Sequence, residues 1–334
     1  MILSAIIARV SSLVPIPIHD ALAELSVQEY LAVLWPDRSR RTLDGLFTAG
    51  RIRSAGQPVA KNRPVNELRE LGLVGPLENV LTIPIPESEH VGEMEILHED
   101  ARFVVVNKQS GLPVVPTRDG GPASCLSILV RRELSAREGK SAEQFRRYRI
   151  VHRLDRLTSG LVFIAKTAEV ERRLAADFEH RRIKKEYLAL LAGDLGAAQV
   201  TVDCPIGPGR KGKMRAQAGE GSQFRKAITR FETLEQFRLS GQTAVTFVRA
   251  KPETGRTHQI RVHAWATSHP LAIDPLYGRH PNVETPVLEG MDRLTLHAHR
   301  YTLSADWDEP RVFECPLPED FRAALTWLRS HGPI

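Results

Sequence analysis

Apolar residues recur along the chain with two different periods, one typical of strands and one typical of helices. Strand-like runs surround Val104–Val106 and recur in the segments LVFIAKT, EYLALLAG, AITRFETLEQF and TAVTFVRAKP. Helical spacing follows Thr167, a suitable N-cap, and continues through the segment RTHQIRVHAWATS, which ends before Pro270. Many strands with few helices predict an α+β fold, in which helices flank a mixed, mainly antiparallel sheet.

The first part of the chain has a pattern of its own. Residues 20–64 predict two short helices, SVQEYLAVLW and SRRTLDGLFTAG, followed by a hairpin with Gly56 at its turn. Pro and Gly are frequent between residues 65 and 92, so this stretch is interpreted as a connection. We therefore expect a small domain over residues 1–85 and a larger domain over residues 92–334.

Composition narrows the class of protein. The chain is 42% hydrophobic and 26% charged, as ordinary soluble globular proteins are. Its apolar start is interrupted by Arg9 and by prolines, so we expect neither a signal peptide nor a membrane span. Cys125, Cys204 and Cys315 lie far apart, which favours reduced thiols and a cytoplasmic location over a disulfide framework or a zinc site.

Positive charge is concentrated in particular segments. The net charge is +6, and between Arg146 and Lys185 alone twelve Lys or Arg oppose five Asp or Glu, a surplus of seven. Such a surplus favours a polyanion such as RNA as partner, although any single cation could belong to a solvated surface. The N-terminal helices and hairpin carry a second group of cations, which fits either a basic nucleic-acid adaptor or a merely solubilised surface. These cations are Arg38, Arg40, Arg41, Arg51 and Arg53.

Three patterns that resemble common functional sites are incomplete. Gly207 to Lys213 has the spacing of a P-loop, but Met214 replaces the hydroxyl residue, so the segment is interpreted as a mobile basic loop. His258 and His263 are five residues apart, which on a helix turns them to different faces, so no metal site is predicted. The Gly-x-Ser-x-Gly elbow of many serine hydrolases is absent from the sequence.

A single carboxylate, Asp155, lies between Arg153 and Arg156 in the segment RIVHRLDRLTSGLVFIAKT. As a turn former, Asp155 would open a loop that continues to Gly160 before a strand begins. As a reactive group, it would be kept ionised by the flanking cations and would act as a nucleophile or base. Glycosidic bonds are usually cleaved with two carboxylates, but a leaving group that is already a good anion and stays in the site needs only one. Uracil is such a leaving group.

Three segments resemble signatures of the RluA-type RNA pseudouridine synthases. HRLDRLTSG, which contains Asp155, is similar to the catalytic motif of that family, TGRTHQIRVH to its second signature, and KKEYLALLAG to its Lys-x-Tyr strand. Weaker matches extend the resemblance to roughly residues 93–323. The chain departs from the family pattern at loop or packing positions. None of the residues that the resemblance implies to be catalytic is changed. The family's KPxG is KQSG here, beginning at Lys108. Where the family usually has Gly, this chain has Ser268 before HP, Ile273 before the next Asp, and Arg225 before Lys226.

The resemblance implies an isomerase that breaks the N1 glycosidic bond of a uridine in RNA, turns the base and rejoins it through C5, without a cofactor or metal. Asp155 would be the catalytic carboxylate, which attacks C1′ or removes the 2′ proton. Tyr187 would stack on the base and Arg261 would pair with Asp155, although a strand-core aromatic and a surface helix cation are the ordinary roles at these positions. RNA contacts are expected from His152, Arg153, Arg156, Lys185, Arg256, His258, Arg38, Arg40, Arg41 and Arg51.

The N-terminal part resembles the ribosomal-protein-S-four-like RNA-binding module, imperfectly, in the segment RTLDGLFTAGRIRSAGQPV. Such a module favours large-subunit ribosomal RNA as the target over transfer RNA. Two other classes of function are open: a non-catalytic RNA-binding or ribosome-assembly protein on the same fold, and a nucleoside glycosidase that releases uracil. We expect a monomer without an obligate protein partner.

Overall fold

The computed structural model describes residues 13–16, 18, 25–34, 40–74, 95–115, 125–138, 149–210, 213–217, 223–239, 243–309 and 311–332. Contacts between Cα atoms divide the chain into two compact units. Met1–Glu93 and Pro113–Tyr148 form the first unit, and Met94–Leu112 and Arg149–Ile334 form the second. The domain boundaries expected from the sequence stay a prediction, and the grouping of Pro113–Tyr148 with the N-terminal segment is a feature that the sequence patterns did not indicate.

The first unit combines a small antiparallel sheet with helices. Its elements are β1 (Leu13–Ile16), α1 (Val27–Leu34), α2 (Arg40–Thr48), β2 (Ile52–Ser54), β3 (Gln57–Pro58), a 3-10 turn (Val65–Glu67), β4 (Leu71–Val74) and α3 (Leu126–Glu138). The strand order is β1-β4-β2-β3, and Gly56, with φ +75°, forms the turn of the expected hairpin. Apolar side chains such as Tyr30, Leu43 and Ile52 share one core with Cys125.

The second unit is built on a large sheet. Its elements are β5 (Glu95–Glu99), β6 (Phe103–Lys108), β7 (Arg149–Ile150), β8 (Ser159–Ala165), α4 (Ala168–Glu179), β9 (Lys184–Ala192), β10 (Gln199–Asp203), β11 (Ile206–Pro208), β12 (Met214–Ala216), β13 (Ile228–Arg238), β14 (Ala244–Pro252), α5 (Gln259–Ala266), β15 (Leu296–Thr302), β16 (Val312–Glu314) and α6 (Glu319–His331). Along the sheet the strands lie in the order β10-β13-β14-β9-β15-β8-β6-β5, with β7 paired to β8 and β16 to β15. Among the described pairings, β8 with β15 is parallel and the others are antiparallel, which confirms the expected α+β class.

Helices cover this sheet through apolar side chains. On α6, Phe321 and Leu325 belong to one buried cluster with Phe247 of β14. On α5, Ile260 belongs to another cluster with Phe231 of β13. Burial of apolar area of this kind is the main favourable term in folding. The packed sheet and helices therefore support the loops at the edges of the sheet.

The two helices predicted in this unit are present, and one of them begins later than expected. Thr167 caps α4, because its hydroxyl accepts a hydrogen bond from the Val170 N–H at 3.2 Å. The second helix, α5, begins at Gln259 instead of near Arg256. Its start is delayed because His258 has a left-handed backbone with φ +56°, and because Gln259 Oε1 accepts from the Arg256 N–H at 3.0 Å.

The segment around Gly207 to Lys213, which was predicted to be a mobile basic loop, is not a simple loop in its described part. Its strands β11 and β12 pair antiparallel, with Ile206 opposite Ala216 and Pro208 opposite Met214. The ring of Phe224 fills the place where a side chain of Gly207 would lie, at 2.9 Å from an ideal Cβ. The prediction of a mobile loop is therefore wrong for these residues, because pairing and aromatic packing hold them as a hairpin.

The loop predicted from Asp155 to Gly160 is also shorter than expected, since β8 already begins at Ser159. Gly160 has φ +115°, and a Cβ at this position would lie 2.2 Å from the carbonyl oxygen of Ala298. This close approach of β8 to β15 requires glycine. Because β8 and β15 are paired here, the residues just before Ser159 lie at the end of these two strands.

Cys125, Cys204 and Cys315 are free thiols. None of the described helices is long and apolar enough to cross a membrane.

Candidate active site

Asp155 opens a tight turn directly before β8. The Thr158 N–H donates to the Asp155 carbonyl oxygen at 3.0 Å, which closes the turn. Ser110, in the segment that follows β6, donates from its hydroxyl to the Leu157 carbonyl oxygen at 2.7 Å. The turn carrying Asp155 is therefore held by its own backbone and by a neighbouring loop, so both earlier interpretations of this residue, turn former and positioned carboxylate, fit the geometry.

Lys108 is a second link between these two loops. Its side chain is fully buried, and its Nζ donates to the carbonyl oxygens of Gln109 and Leu112 at 2.8 Å and of Arg156 at 3.0 Å. Burial lowers the pKa of Lys108 to about 7, while the nearby charge of Asp155 opposes this shift. Lys108 thus cross-links the segment after β6 to the turn that carries Asp155.

Arg261, on α5, contacts two carboxylates at once. Its Nη1 donates to Asp155 Oδ2 at 3.0 Å, while Nε and Nη2 donate to Oδ2 and Oδ1 of Asp274 at 2.7 Å each. The side chain of Asp274 is 0% exposed and that of Arg261 4%, but that of Asp155 is 24% exposed. Although burial opposes it, pairing with Asp274 and Asp155 raises the pKa of Arg261 above its ordinary value. The site is therefore a fixed cation with one buried and one accessible carboxylate.

The cations next to Asp155 in the sequence are not its ion-pair partners. Arg153 is exposed and lines a cleft, and Arg156 Nε donates to the Gly111 carbonyl oxygen at 2.9 Å. Asp155 Oδ2 forms its ion pair with Arg261 at 3.0 Å, and His258 Nε2 lies 3.8 Å from the same oxygen. The flanking arginines are therefore not the residues that pair with Asp155, and the pairing cation is Arg261 of α5, which the resemblance had named as its partner.

A cleft of about 410 Å³ opens over Asp155. This volume lies within the range of roughly 300–1,000 Å³ that is typical of ligand sites. Glu179, an exposed carboxylate at the end of α4, also lines the cleft, but Asp155 is the one that Arg261 holds. The cleft brings together eight of the residues predicted from the sequence: Asp155, Tyr187, Arg261, His152, Arg153, Lys185, Arg256 and His258.

Tyr187 of β9 lines the cleft beside Tyr301 of β15. The two hydroxyl groups are 2.7 Å apart and share a hydrogen bond. Burial raises the pKa of Tyr187 to about 12 and also raises the pKa of Tyr301 well above its ordinary value. Both phenols are therefore neutral near pH 7, and the hydroxyl of Tyr187 is engaged with Tyr301. What Tyr187 can offer a ligand is mainly its ring.

Two other lining residues differ in what they can contribute. Burial, together with the charge of Arg181, lowers the pKa of Lys185 to about 8, so that this side chain is cationic at neutral pH but easily deprotonated. Burial lowers the pKa of His152 to about 3, and its Nε2 accepts a hydrogen bond from the Phe163 N–H at 3.0 Å. Its ring lies 4.3 Å from that of Phe178. His152 is thus a neutral wall residue, and its contact with RNA stays a prediction.

The N-terminal arginines lie in the first unit. Arg51 Nε donates to the Val74 carbonyl oxygen at 2.8 Å, so part of this guanidinium is used within the fold. Arg40 and Arg41 belong to the first turn of α2, and Arg38 lies outside the described residues. Their contacts with RNA stay predictions.

Four residues of the site were missed as functional candidates: Asp274, Tyr277, Tyr301 and Lys108. Asp274 and Tyr277 lie in the segment HPLAIDPLYG, which had contributed only to the resemblance. A lone carboxylate in an otherwise apolar segment is a usable signal, because a buried charge needs a partner. Lys108 offers the same kind of signal, since it follows the apolar strand run of β6.

Comparisons with known proteins identify the family that the chain resembles. The model of the RNA pseudouridylate synthase family matches residues 102–266. The ribosomal large subunit pseudouridine synthase D of Nitrosomonas europaea is 32% identical, over 95% of this chain and 88% of that protein. The protein of the same name from Pseudomonas aeruginosa is also 32% identical, over 91% of this chain and 92% of its own. Human RNA pseudouridylate synthase domain containing 1 superposes with a TM-score of 0.54 and 27% identity, over 74% of this chain and 91% of its own.

The α+β fold and the basic cleft, in which Arg261 holds the accessible carboxylate of Asp155, fit an RNA-modifying enzyme. The chain belongs to the RNA pseudouridylate synthase family. It is an isomerase that acts on RNA, and the resemblance drawn from the three sequence signatures is confirmed.

Proposed function

We propose that the chain converts a uridine of large-subunit ribosomal RNA into pseudouridine, with Asp155 as the reacting carboxylate. The observation that carries the proposal is the ion pair of 3.0 Å between Arg261 and the accessible carboxylate of Asp155 within the cleft. The relatives from Nitrosomonas europaea and Pseudomonas aeruginosa, both named for the ribosomal large subunit, support this target. We further propose a monomer that works in the cytoplasm.

The chemistry needs only this chain's own side chains. Asp155 attacks C1′ or removes the 2′ proton, and in either case the N1–C1′ bond breaks and uracil leaves as an anion. The base turns while it is still enclosed, and a C5–C1′ bond forms as the Asp155–C1′ ester bond breaks or, on the second route, as the 2′ proton returns from Asp155. C5 then loses its proton and N1 gains one. Arg261 aims the carboxylate, because a guanidinium held on its other side has little freedom to move. Tyr187 stacks on the base and retains it.

Electrostatic attraction between cationic side chains and phosphates brings RNA to the cleft. Arg153, Lys185 and Arg256 line it and would meet backbone phosphates, which bind mainly by electrostatic attraction. The predicted contacts of Arg156, His152 and His258 are proposed as well, His152 through its ring. The arginines of the N-terminal segment, Arg38, Arg40, Arg41 and Arg51, would hold RNA outside the cleft, as in an RNA-binding module.

The proposal is tested by mapping pseudouridines in ribosomal and transfer RNA from a deletion strain, complemented with variants. Asp155→Asn keeps the shape of the side chain but removes its charge, so the site lost on deletion should not return. Asp308→Asn is the matched control, because that side chain is 96% exposed, and it should restore the modification.

Each alternative function predicts a different result. Loss of a pseudouridine from transfer RNA alone would move the target to that class. Complementation by Asp155→Asn would leave a non-catalytic RNA-binding protein. Release of free uracil from RNA by the purified protein would indicate a glycosidase.

A further inference from the structure

His258 is placed between the reactive carboxylate and a buried phenol. It directly precedes α5 with φ +56°, and its side chain makes no hydrogen bond to the helix start. Its Nδ1 instead lies 2.9 Å from the Tyr277 hydroxyl, and its Nε2 lies 3.8 Å from Asp155 Oδ2. A left-handed backbone is uncommon outside glycine, although His adopts it more readily than most residues. The unusual backbone thus coincides with a side chain that joins two polar groups of the site.

The hydrogen bonds around Tyr277 define the tautomer of His258. Tyr277 is 7% exposed, and its hydroxyl oxygen accepts a hydrogen bond from the Met214 N–H, on β12, at 2.9 Å. With the oxygen already accepting, the phenolic proton is directed to Nδ1 of His258. A neutral imidazole that accepts at Nδ1 carries its proton on Nε2. That N–H faces Asp155.

The charges around the ring agree with a neutral imidazole. Burial lowers the pKa of His258 below its ordinary value. Asp155 and Asp274 favour the protonated form, and Arg261 and Arg153 oppose it. The ring is therefore a neutral donor toward Asp155 near pH 7, rather than a cation.

We propose that His258 is a positioning residue for Asp155, with Tyr277 fixing the tautomer that donates from Nε2 to Oδ2. This proposal rests on the proposed catalytic role of Asp155. The separation of 3.8 Å closes to hydrogen-bond distance when RNA fills the cleft, as catalytic hydrogen bonds often do on ligand binding. Arg261 also donates to Oδ2, and no described residue donates to Oδ1. Oδ1 is then the oxygen that reacts with the ribose.

The kinetic test uses two amides of different reach. Gln at position 258 can place an N–H donor near the position of the imidazole Nε2, whereas Asn tolerates the left-handed backbone but ends near Nδ1. We expect His258→Asn to lower the single-turnover rate by about 10- to 100-fold. His258→Gln should stay within about fivefold of the wild-type rate, and in His258→Asn the rate should fall by a larger factor than the Kd for RNA rises. Equal losses in the two variants, or a change in Kd alone, would overturn the proposal.

A second measurement needs neither RNA nor activity, so it fails or succeeds independently of the proposed function. Long-range ¹⁵N–¹H spectra of protein labelled in histidine report which ring nitrogen carries the proton, and the spectrum of His258→Gln assigns the signals of His258. Wild type should show a protonated Nε2 and an accepting Nδ1. Tyr277→Phe should shift the Nδ1 signal and mix the tautomers. A wild-type ring protonated on Nδ1, or signals unchanged in Tyr277→Phe, would contradict the assignment.

Discussion

Asp274 binds two of the three guanidinium nitrogens of Arg261, Nε and Nη2, at 2.7 Å each. The remaining nitrogen, Nη1, is the one that contacts Asp155. Asp274 is itself anchored, because its Oδ1 accepts from the backbone N–H groups of Leu276 at 2.8 Å and Tyr277 at 3.0 Å. A planar fork held on one edge can present its third nitrogen in only one direction. Asp274 therefore determines where Arg261 holds the reactive carboxylate.

Asp274→Asn should harm both stability and catalysis. It keeps the shape of the side chain but leaves the buried Arg261 without its main counter-charge, and breaking a buried pair typically costs about 3–5 kcal/mol of unfolding free energy. Arg261 also loses the contact that orients its guanidinium toward Asp155, so the single-turnover rate should fall about 100-fold. Urea unfolding and single-turnover assays on RNA measure the two effects.

An exposed pair provides the control. Arg329 and Glu235 form a similar two-point contact, at 2.8 and 2.6 Å, but their side chains are 54% and 33% exposed. Glu235→Gln should cost less than about 1 kcal/mol, as exposed ion pairs do. If Asp274→Asn destabilised the protein no more than Glu235→Gln, Asp274 would not be the anchor of Arg261.

The role of Asp274 also shows what the sequence could and could not predict. Strand runs such as that around Val104–Val106, the cap at Thr167 and the solitary Asp155 depend on near neighbours, and they were predictable. Local reasoning assigned the counter-charge of Asp155 to the adjacent arginines, whereas the resemblance to the family named Arg261, 106 positions away, which is the residue that pairs with it. Long-range pairings of this kind depend on how α5 packs on the sheet, which periodicity does not reveal.

Lys108→Met should loosen the turn that carries Asp155. The substitution keeps an unbranched apolar side chain but removes the donor to the carbonyl oxygens of Gln109, Leu112 and Arg156. The lost hydrogen bonds are partly buried, and a buried acceptor without a partner costs about 1–3 kcal/mol, so the unfolding free energy measured in urea should fall by up to about this amount. The single-turnover rate should fall more than RNA affinity does, because the reactive group is displaced while the basic cleft is kept. Equal losses of rate and affinity would contradict a link specific to Asp155.

The hydroxyl pair of Tyr187 and Tyr301 lends itself to a double-mutant cycle. Tyr187→Phe keeps the ring that is proposed to stack on the base but leaves the buried Tyr301 hydroxyl without its 2.7 Å partner. We expect a loss of about 1–3 kcal/mol in unfolding free energy, with the rate within about tenfold of wild type. Tyr187→Leu, which removes the ring, should lose far more activity.

The cycle is completed by Tyr301→Phe and the double variant. Since both hydroxyl groups are then absent, the double variant should be more stable than the sum of the single losses predicts. Strict additivity of the unfolding free energies would mean that the hydrogen bond contributes little. Inactivation by Tyr187→Phe alone would instead give the phenol a direct part in the chemistry.

Lys185 should make RNA binding depend on pH. Burial and the charge of Arg181 lower its pKa to about 8, so the free protein loses this cation as the pH rises through that value. A phosphate in the cleft favours the charged form, so binding takes up a proton and weakens as the pH rises from about 7 to 9. The loss should approach about tenfold in Kd, the value of one charge-assisted hydrogen bond. Fluorescence anisotropy with labelled RNA at fixed ionic strength measures it.

Two substitutions of Lys185 separate its titration from that of other groups. Lys185→Arg stays charged throughout this range, so its RNA affinity should be high and nearly constant up to about pH 9. Lys185→Gln lacks the charge at every pH, so its affinity should be constant and low. Both variants remove the proton uptake, although they differ in affinity. A pH dependence retained in both would assign the titration to another residue and leave Lys185 without a phosphate.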